Sequence, residues 1–453
     1  MIAIAFLFVL LVVFLVMAAT GTGPAVGIAE LVVLSVVFVV FFFSGIYVAA
    51  ALAILGLLAD LAFSSRPMHA FIGQVAWNAS NSFVFVAVPL FLLMGEILLR
   101  SGLSDRLYRA LNIWVGSLPG GLLHTNIAAC AVFSAVSGSS IATAATIGSV
   151  ALPYFGKTAY NKRLVLGSLA AGGALGNLIP PGISFIVYSL FTDTSIGKLY
   201  AGGFVVGILV AALFMVYIFG YGLVTGTREA VTAVTWRQRV ASLAELAPTL
   251  TLIFLVLGTI YLGLATATES AALGVIGALA LAALDGRLSL GMVHSSVRTT
   301  ARSTSMIGLI LIAAFALNFV LSGLRLPQAL ATTVAGLPLP PWATMTVIIL
   351  LYIALGTFMD GFAIMVTTLP VLFPVVTALH YDPIWFGVIM TMLIEIAQIT
   401  PPDGMVMYVL QGMRVPPGPI SDVFVGVLPF LGIYALSLLL VTAFPGLVLW
   451  FVK

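Results

Sequence analysis

Long apolar stretches follow one another along the whole chain, and only short polar segments separate them. A helix needs about 20 apolar residues to cross the hydrocarbon core of a bilayer, which is about 30 Å thick. The period-two alternation that marks membrane strands is missing, which argues against a barrel. The pattern therefore predicts an all-α polytopic membrane protein. We place about 11 spanning helices, at residues 2–19, 30–44, 46–62, 83–101, 163–190, 199–223, 247–262, 268–284, 303–323, 383–412 and 420–450.

Several sequence features recur at one fixed offset in the numbering, which we call the repeat offset. It places Ser101-Gly102-Leu103 on Ser322-Gly323-Leu324, Pro153 on Pro374, Asn177 on Gln398, and Pro180-Pro181 on Pro401-Pro402. Ungapped coincidences at one offset, two of which involve proline, indicate two copies of one unit, residues 30–224 and 251–445. Residues 1–29 then form an extra N-terminal transmembrane helix and loop, and residues 225–250 form a cytoplasmic connector.

Each copy is predicted to contain scaffold helices, a re-entrant hairpin, a broken helix and a final helix. These segments are residues 30–101, 118–156, 163–190 and 199–223 in the first copy and residues 247–323, 338–378, 383–412 and 420–450 in the second. Each apolar half of the first hairpin reaches only about 21–24 Å as a helix, which is too short to span. The small polar residues Ser137 to Ser140 favour a turn between the halves. The alternative is a pair of short spanning helices joined by a surface turn.

Charged residues make up 7% of the chain and hydrophobic residues 62%, unlike the composition of a soluble domain. Of the 17 Lys and Arg residues, 13 fall on one predicted side of the membrane and four on the other, namely Arg66, Lys198, Arg325 and Lys453. The positive-inside rule makes the first side cytoplasmic. The two copies then enter the membrane from opposite faces, which predicts an inverted-repeat transporter. Basic residues confined to short loops do not form the basic face that nucleic-acid binding needs.

Each copy has two breaks at membrane depth, the hairpin tip and the Pro-Pro pair. A proline inside a helix costs about 3 kcal/mol, and lipid offers no water to the freed carbonyl groups. The carbonyl ends of broken helices coordinate cations, and their N-terminal ends attract anions. Na⁺ is therefore expected to bind at these breaks, with oxygens available from Ser137, Ser140, Asn177, Thr357, Gln398 and Thr400. The alternative is a proline kink in each copy, repacked by neighbouring helices.

Three acidic residues near the breaks are candidates for function, because a charge at membrane depth is costly. Asp360 can ligate Na⁺, or it can cap the second half of its hairpin. Asp403 can contact the ion, a proton or the substrate, or it can reach into a wet vestibule. Glu395 lies two turns before the second break and is interpreted alternatively as a buried, hydrogen-bonded acid.

Other polar residues have structural interpretations. Thr266 and Glu269 have the spacing of a capping box at a helix start, and Glu96 lies one turn from Arg100, which predicts an ion pair. Cys130 is the single cysteine, so the chain forms no intrachain disulfide. Because no H-E-x-x-H motif or pair of catalytic aspartates occurs, we do not expect a membrane-embedded enzyme.

The sequence resembles the large membrane subunit (DctM-type permease) of a TRAP transporter, the tripartite ATP-independent periplasmic type. The resemblance covers about residues 30–450. The segments that carry it are highly specific together, although none of them is specific alone. It is carried by the segments PLFLLMGEILLRSGL (Pro89–Leu103), GGLLHTNIAACAVFSAVSGSSIATAATIGSVALP (Gly120–Pro153), LGNLIPPGISFIVYSL (Leu175–Leu190), ATATESAALG (Ala265–Gly274), GTFMDGFAIMVTTLPVLFPV (Gly356–Val375) and WFGVIMTMLIEIAQITPPDGMVMYVLQG (Trp385–Gly412).

This resemblance implies a Na⁺-driven elevator of the ion transporter superfamily type in the bacterial inner membrane, which takes up a small organic anion. Its implied partners are a small four-helix membrane subunit and a periplasmic substrate-binding protein, and no cofactor is implied beyond the coupling Na⁺. Matched by motif, the first Na⁺ site would comprise Ser137, Ser140, Gly176 and Ile179. The second would comprise Gly356, Thr357, Asp360, Ile399 and Thr400. The substrate would lie near Ser139, Asn177, Pro181, Gly182, Gly361, Gln398, Pro402 and Asp403.

Two positions depart from the family pattern and bear on substrate contacts. Members commonly have Ser after the first Pro-Pro pair and an apolar residue after the second, where this chain has Gly182 and Asp403. The extra helix at residues 2–19 resembles the linker of fused members, yet we expect a separate small subunit. The rival functions are a stand-alone Na⁺/carboxylate symporter of related architecture and a channel.

Overall fold

The computed structural model describes residues 46–63, 68–156, 158, 160–226 and 234–452. Within these ranges the regular structure is helical throughout, which confirms the all-α class. The helices predicted at residues 2–19 and 30–44 lie outside the described residues. The described chain divides into two compact units, one smaller and one larger.

The described α-helices are, in chain order, α1 (Val48–Phe63), α2 (Ile72–Ser80), α3 (Phe83–Ser101), α4 (Leu103–Val115), α5 (Leu122–Ser137), α6 (Ser140–Phe155), α7 (Lys162–Gly173), α8 (Ile183–Thr192), α9 (Ile196–Thr225), α10 (Trp236–Tyr261), α11 (Ala267–Leu284), α12 (Leu290–Gly323), α13 (Leu326–Ala335), α14 (Pro341–Gly356), α15 (Gly361–Ala378), α16 (Pro383–Ile399), α17 (Met405–Met413), α18 (Ser421–Ala443) and α19 (Gly446–Leu449). A 3₁₀ turn at Met68–Ala70 precedes α2.

The smaller unit contains residues up to Ser82 together with Ser303–Tyr352 and Phe362–Pro383. The end of α1 is fixed to the following turn, where the Asp60 carboxylate accepts a hydrogen bond from the Met68 backbone N–H at 2.7 Å. This unit's apolar cluster consists of Ala59, Met68, Ala316 and Val320, with Val75, Phe319 and Leu324 packed against it.

The larger unit contains Phe83–Arg302, Ile353–Gly361 and Ile384–Lys453. Within it, α11 packs along α3, α10 packs against α4 and α11, and α18 packs against α7. The approach of α7 and α18 is very close, because a Cβ atom on Gly426 would collide with the Arg163 carbonyl group. Small residues at such crossings let the backbones of membrane helices touch.

Seven described helices are long and apolar enough to cross a membrane: α3, α9, α10, α11, α12, α15 and α18. Six of them overlap predicted spanning helices. The seventh, α15, was predicted as half of a re-entrant hairpin, but its 18 residues reach about 27 Å at 1.5 Å per residue. The length of α15 is therefore compatible with a spanning helix and with half of a re-entrant hairpin.

Helix boundaries recur at the same repeat offset that relates the two predicted copies. The offset carries the start of α6, at Ser140, onto the start of α15, at Gly361, and the start of α7, at Lys162, onto the start of α16, at Pro383. Short helices that were not predicted also correspond, because the offset places α4 on α13. The inverted orientation of the two copies stays a prediction.

Several helices differ from the prediction. Helices α2, α4 and α13 were missed, α10 begins at Trp236 instead of residue 247, and α12 begins at Leu290 instead of residue 303. The final helix predicted at residues 420–450 is divided into α18 and α19. The prediction followed apolar runs, which mark membrane depth and not helix length. The first half of α12 carries Arg298, Arg302 and several hydroxyl residues, so it lies outside the apolar run that the prediction followed.

Two local predictions are confirmed. Thr266 and Glu269 form the reciprocal hydrogen bonds of a capping box at the start of α11. Glu96 and Arg100 form an ion pair with 3.0 Å between the carboxylate and guanidinium atoms. Both acids therefore have structural roles away from the breaks.

Candidate functional site

The first hairpin turns between Ser137, where α5 ends, and Ser140, where α6 begins. Gly138 has a left-handed φ of 60°, and Ser139 caps α6 with its side chain. The Ser137 hydroxyl group lies 2.7 Å from the hydroxyl group of Thr143. The turn predicted from the small polar residues is therefore present, and the hydroxyl groups of Ser137 and Ser139 are held by local hydrogen bonds.

The first broken helix touches this hairpin tip directly. A stretch of buried turns, residues 174–182, separates α7 from α8. The backbone N–H of Ile183 donates a hydrogen bond to the Gly138 carbonyl oxygen at 3.2 Å. A Cβ atom on Gly176 would collide with the backbone of Ser140. Glycine at this position therefore allows the break and the tip to come into contact.

Ser140 joins the first hairpin to both broken helices. Its hydroxyl group donates to the Glu395 carboxylate, with Oγ 2.7 Å and 2.9 Å from the two carboxylate oxygens. The same Oγ accepts hydrogen bonds from the backbone N–H of Asn177 at 3.2 Å and from its side-chain amide at 2.9 Å. Ser140 and Glu395 are completely buried, and Asn177 is 2% exposed. These three side chains form the polar cluster of the first break.

Two buried amide oxygens at the breaks have no hydrogen-bond partner among the described residues. They are Oδ1 of Asn177 and Oε1 of Gln398. Residues 177 and 398 are positions that the repeat offset relates. Leaving a buried acceptor unpaired costs about 1–3 kcal/mol, so these two oxygens are candidate ligands for a cation.

The second hairpin tip brings two carboxylates near each other. Residues 357–360 separate α14 from α15. Asp360 immediately precedes α15, the position from which a side chain caps a helix, and its charge is close enough to act on the Asp403 carboxyl. The Thr357 hydroxyl group donates to the Ala354 carbonyl oxygen at 2.7 Å. The oxygen of Thr357 keeps its lone pairs for another ligand.

The second break is more open than the first. Residues between Ile399 and α17 form a short turn, in which Pro402 is exposed and Asp403 is half-buried. The Thr400 hydroxyl group donates to the Ile396 carbonyl oxygen at 2.6 Å. Gly361, at the tip of the second hairpin, packs against α16, because a Cβ atom on Gly361 would lie 2.6 Å from Cγ2 of Ile394.

The predicted site residues are only partly brought together. Ser140, Gly176 and Asn177 meet at the first tip. Ile179 packs instead towards α9, where a Cβ atom on Gly207 would lie 2.5 Å from its Cγ1. Its predicted role rests on its backbone carbonyl group.

The sequence analysis included Glu395 in neither of the two predicted Na⁺ sites nor among the predicted substrate contacts. Its interpretation as a buried, hydrogen-bonded acid is confirmed, but its partner in the first hairpin was not foreseen. The available signal was an acidic residue in α16, a helix whose side chains are buried from Trp385 to Ile399.

Known proteins resemble the chain over most of its length. Residues 12–447 match the model of the family described as tripartite ATP-independent periplasmic transporter, DctM component. The chain belongs to the DctM family. It is 32% identical over 408 residues to the isethionate TRAP transporter permease DctMQ of Oleidesulfovibrio alaskensis, a match that covers 90% of this chain and 64% of that protein. It is 33% identical over 402 residues to the C4-dicarboxylate TRAP transporter large permease DctM of Pseudomonas aeruginosa. That match covers 87% of this chain and 92% of that protein.

A solved structure shares the fold of this DctM-family chain. The Alcanivorax borkumensis YdaH transporter superposes with a TM-score of 0.60 at 16% identity, over 89% of this chain and 98% of that chain. The sequence relatives are named as permeases and not as enzymes. A multi-pass location in the inner membrane agrees with the family and with the seven candidate spanning helices.

Proposed function

We propose that the chain is the large permease subunit of a binding-protein-dependent TRAP transporter that couples the uptake of a small organic anion to Na⁺ entry. Membership of the DctM family supports the transporter class. The observation that carries the Na⁺ coupling is the pair of buried, unpaired amide oxygens of Asn177 and Gln398 at equivalent breaks. Carbonyl-type oxygens at interrupted helices are the ligands with which secondary transporters hold Na⁺.

Small organic anions are the substrate class that the relatives favour. One relative is named for isethionate, a sulfonate, and another for C4-dicarboxylates. The start of α8 follows the break that contains Asn177, and a helix N-terminus attracts negative charge. An anion would therefore be held near Ser139, Pro181 and Gly182 in the first copy and near Gly361, Pro402 and Asp403 in the second.

The residues of both breaks suit a hard cation. The first Na⁺ would be held by Ser137, Ser140 and the backbone of Gly176 and Ile179, and the second by Gly356, Thr357, Asp360 and the backbone of Ile399 and Thr400. Bound Na⁺ would supply positive charge at each break. The hairpin tips and the broken helices that contact them would then move together past the scaffold, as in an elevator.

The partners belong to the same proposal. A periplasmic substrate-binding protein would deliver the anion, and a small four-helix membrane subunit would complete the permease. The YdaH structure supports only the fold. The proposal of these partners rests on membership of the DctM family.

Uptake by reconstituted vesicles tests the proposal. The chain, purified with a small TRAP membrane subunit, would be placed in proteoliposomes with a TRAP substrate-binding protein and labelled succinate or isethionate. We expect uphill accumulation that requires an inward Na⁺ gradient and stops when the binding protein is omitted. Unchanged uptake without the binding protein would point to the stand-alone symporter, and uptake that never exceeds equilibrium would point to a channel.

Substitutions at the two proposed ion sites sharpen this test. Ser137→Ala and Asp360→Ala should each raise the Na⁺ concentration for half-maximal uptake by about tenfold, the effect of removing roughly 1.4 kcal/mol of binding. Matched controls are Ser295→Ala, whose hydroxyl group bonds only its own helix on an exposed face, and Asp105→Ala in the first turn of α4. Wild-type Na⁺ dependence in Ser137→Ala or Asp360→Ala would remove that residue from its site.

A further inference from the structure

Glu395 places a carboxylate from the second copy inside the first break. The residue belongs to α16, and its side chain is completely buried. Ser140, which begins the second half of the first hairpin, donates a hydrogen bond from its hydroxyl group to this carboxylate. At the position that the repeat offset relates to Glu395, the first copy has Ala174 at the end of α7, which carries no charge.

The hydrogen bonds of this cluster leave negative charge unbalanced. The Ser140 hydroxyl group donates a hydrogen bond to Glu395, and the backbone and side-chain N–H groups of Asn177 donate to both the Ser140 Oγ atom and the Glu395 carboxylate, so every donor in the cluster is neutral. The Asn177 Oδ1 atom therefore remains a buried acceptor without a donor among the described residues. A buried carboxylate and an unpaired amide oxygen in one cluster both require a positive partner.

Protein side chains of the described region do not supply that partner. The ion pairs found there join Arg100, Arg106, Arg163 and Arg414 to acids other than Glu395. The titratable group that faces Glu395 from α18 is the Tyr434 phenol, whose hydroxyl group donates to the Ala174 carbonyl oxygen at 3.4 Å. A phenol so arranged contributes no cationic charge.

We propose that Glu395 is a ligand and the counter-charge of the Na⁺ bound at the first break, together with Oδ1 of Asn177. This inference rests on the proposed Na⁺ coupling and adds a charged residue to a site otherwise built from neutral oxygens. Ser140 holds the carboxylate in place through its hydroxyl group. Because the ion joins a residue of α16 to the first hairpin, the first site is complete only when both copies are packed together.

Na⁺-dependent thermal stability tests the proposal independently of transport. The complex with its small subunit would be titrated with NaCl at constant ionic strength, with choline chloride as the replacement salt, while the unfolding temperature is followed by tryptophan fluorescence. Glu395→Gln keeps the size of the side chain and removes its charge. We expect the Na⁺ concentration for half-maximal stabilisation to rise about 10–100-fold, the range for losing a residue that supports a metal site.

The control variant is Glu269→Gln, because glutamine also completes a capping box and Glu269 lies in that box at the start of α11. Its Na⁺ response should equal that of the wild type. Glu395→Asp keeps the charge on a shorter side chain, so it should retain a Na⁺ response that Glu395→Gln loses.

The outcomes separate this inference from the proposed function. A wild-type complex that Na⁺ does not stabilise would overturn both. A wild-type response that persists in Glu395→Gln would overturn the inference alone, since the carboxylate would then be held as a neutral acid. Loss of the response in Glu395→Asp but not in Glu395→Gln would also overturn it, because the length of the side chain and not its charge would then be the requirement.

Discussion

Gly138 carries two constraints at the tip of the first hairpin. Its φ of 60° lies in the left-handed region, which costs other residues about 1–2 kcal/mol. A Cβ atom there would also lie 2.5 Å from the Pro181 carbonyl oxygen. We therefore expect Gly138→Ala to lower the unfolding temperature of the purified complex and to abolish uptake in proteoliposomes, since the tip would be forced away from the break.

Gly286 provides the matched control for this prediction. It has a similar φ of 68° in the turn after α11, and a Cβ atom there would meet nothing within 4 Å. Gly286→Ala should therefore carry only the backbone cost and retain uptake. Equal losses of activity in the two variants would show that the left-handed conformation, and not contact with the broken helix, explains the effect of Gly138→Ala.

At the residue scale, sequence reasoning found the polar tips but not their long-range partners. The small residues from Ser137 to Ser140 predict a turn through local propensity, which depends on neighbouring positions only. The bond between Ser140 and Glu395 joins residues 255 positions apart. Such a contact depends on how the helices pack, and no local pattern encodes that geometry.

At the element scale, the crossing of α7 and α18 depends on glycine. A Cβ atom on Gly426 would collide with the Arg163 carbonyl group, and Gly167 approaches α18 equally closely. We expect Gly426→Ala to separate the two helices and to lower the unfolding temperature, because overpacking costs about 1–3 kcal/mol. Thermal unfolding of the purified complex would measure the change.

Gly432 lies in α18 like Gly426, but a Cβ atom on Gly432 would meet nothing within 4 Å. Gly432→Ala is therefore the matched control for Gly426→Ala. Gly432→Ala should be neutral or slightly stabilising, because alanine is a better helix former than glycine by up to about 1 kcal/mol. A similar destabilisation in Gly426→Ala and Gly432→Ala would contradict the crossing as the cause.

Helix positions were predictable where apolar runs and helices coincide, and they were not predictable elsewhere. The prediction for α3, residues 83–101, agrees with its observed bounds. The amphipathic helix α4 was missed because its polar residues, such as Asp105 and Arg106, interrupt the apolar run. Likewise, the Pro-Pro pair located the first break but not its length, since the turns already begin at residue 174.

At the scale of the whole molecule, the distribution of basic residues assigns each loop to a side of the membrane. Arg287 follows α11 and lies on the predicted cytoplasmic side, whereas the loop before α11 lies on the opposite side. The Arg106 guanidinium group forms an ion pair with Asp285 at 2.8 Å, which keeps two segments of the predicted cytoplasmic side together. The inverted arrangement of the two copies depends on this assignment.

Cysteine labelling in spheroplasts can measure the orientation directly, because Cys130 is completely buried and should not react in the wild type. Leu264 is 73% exposed in the loop before α11, and Leu288 is 44% exposed in the loop after it. Leu264→Cys should react with a membrane-impermeant maleimide from outside, whereas Leu288→Cys should react only after permeabilisation. The reverse pattern would place the basic loops outside, and labelling of both variants in intact spheroplasts would mean that α11 does not cross the membrane.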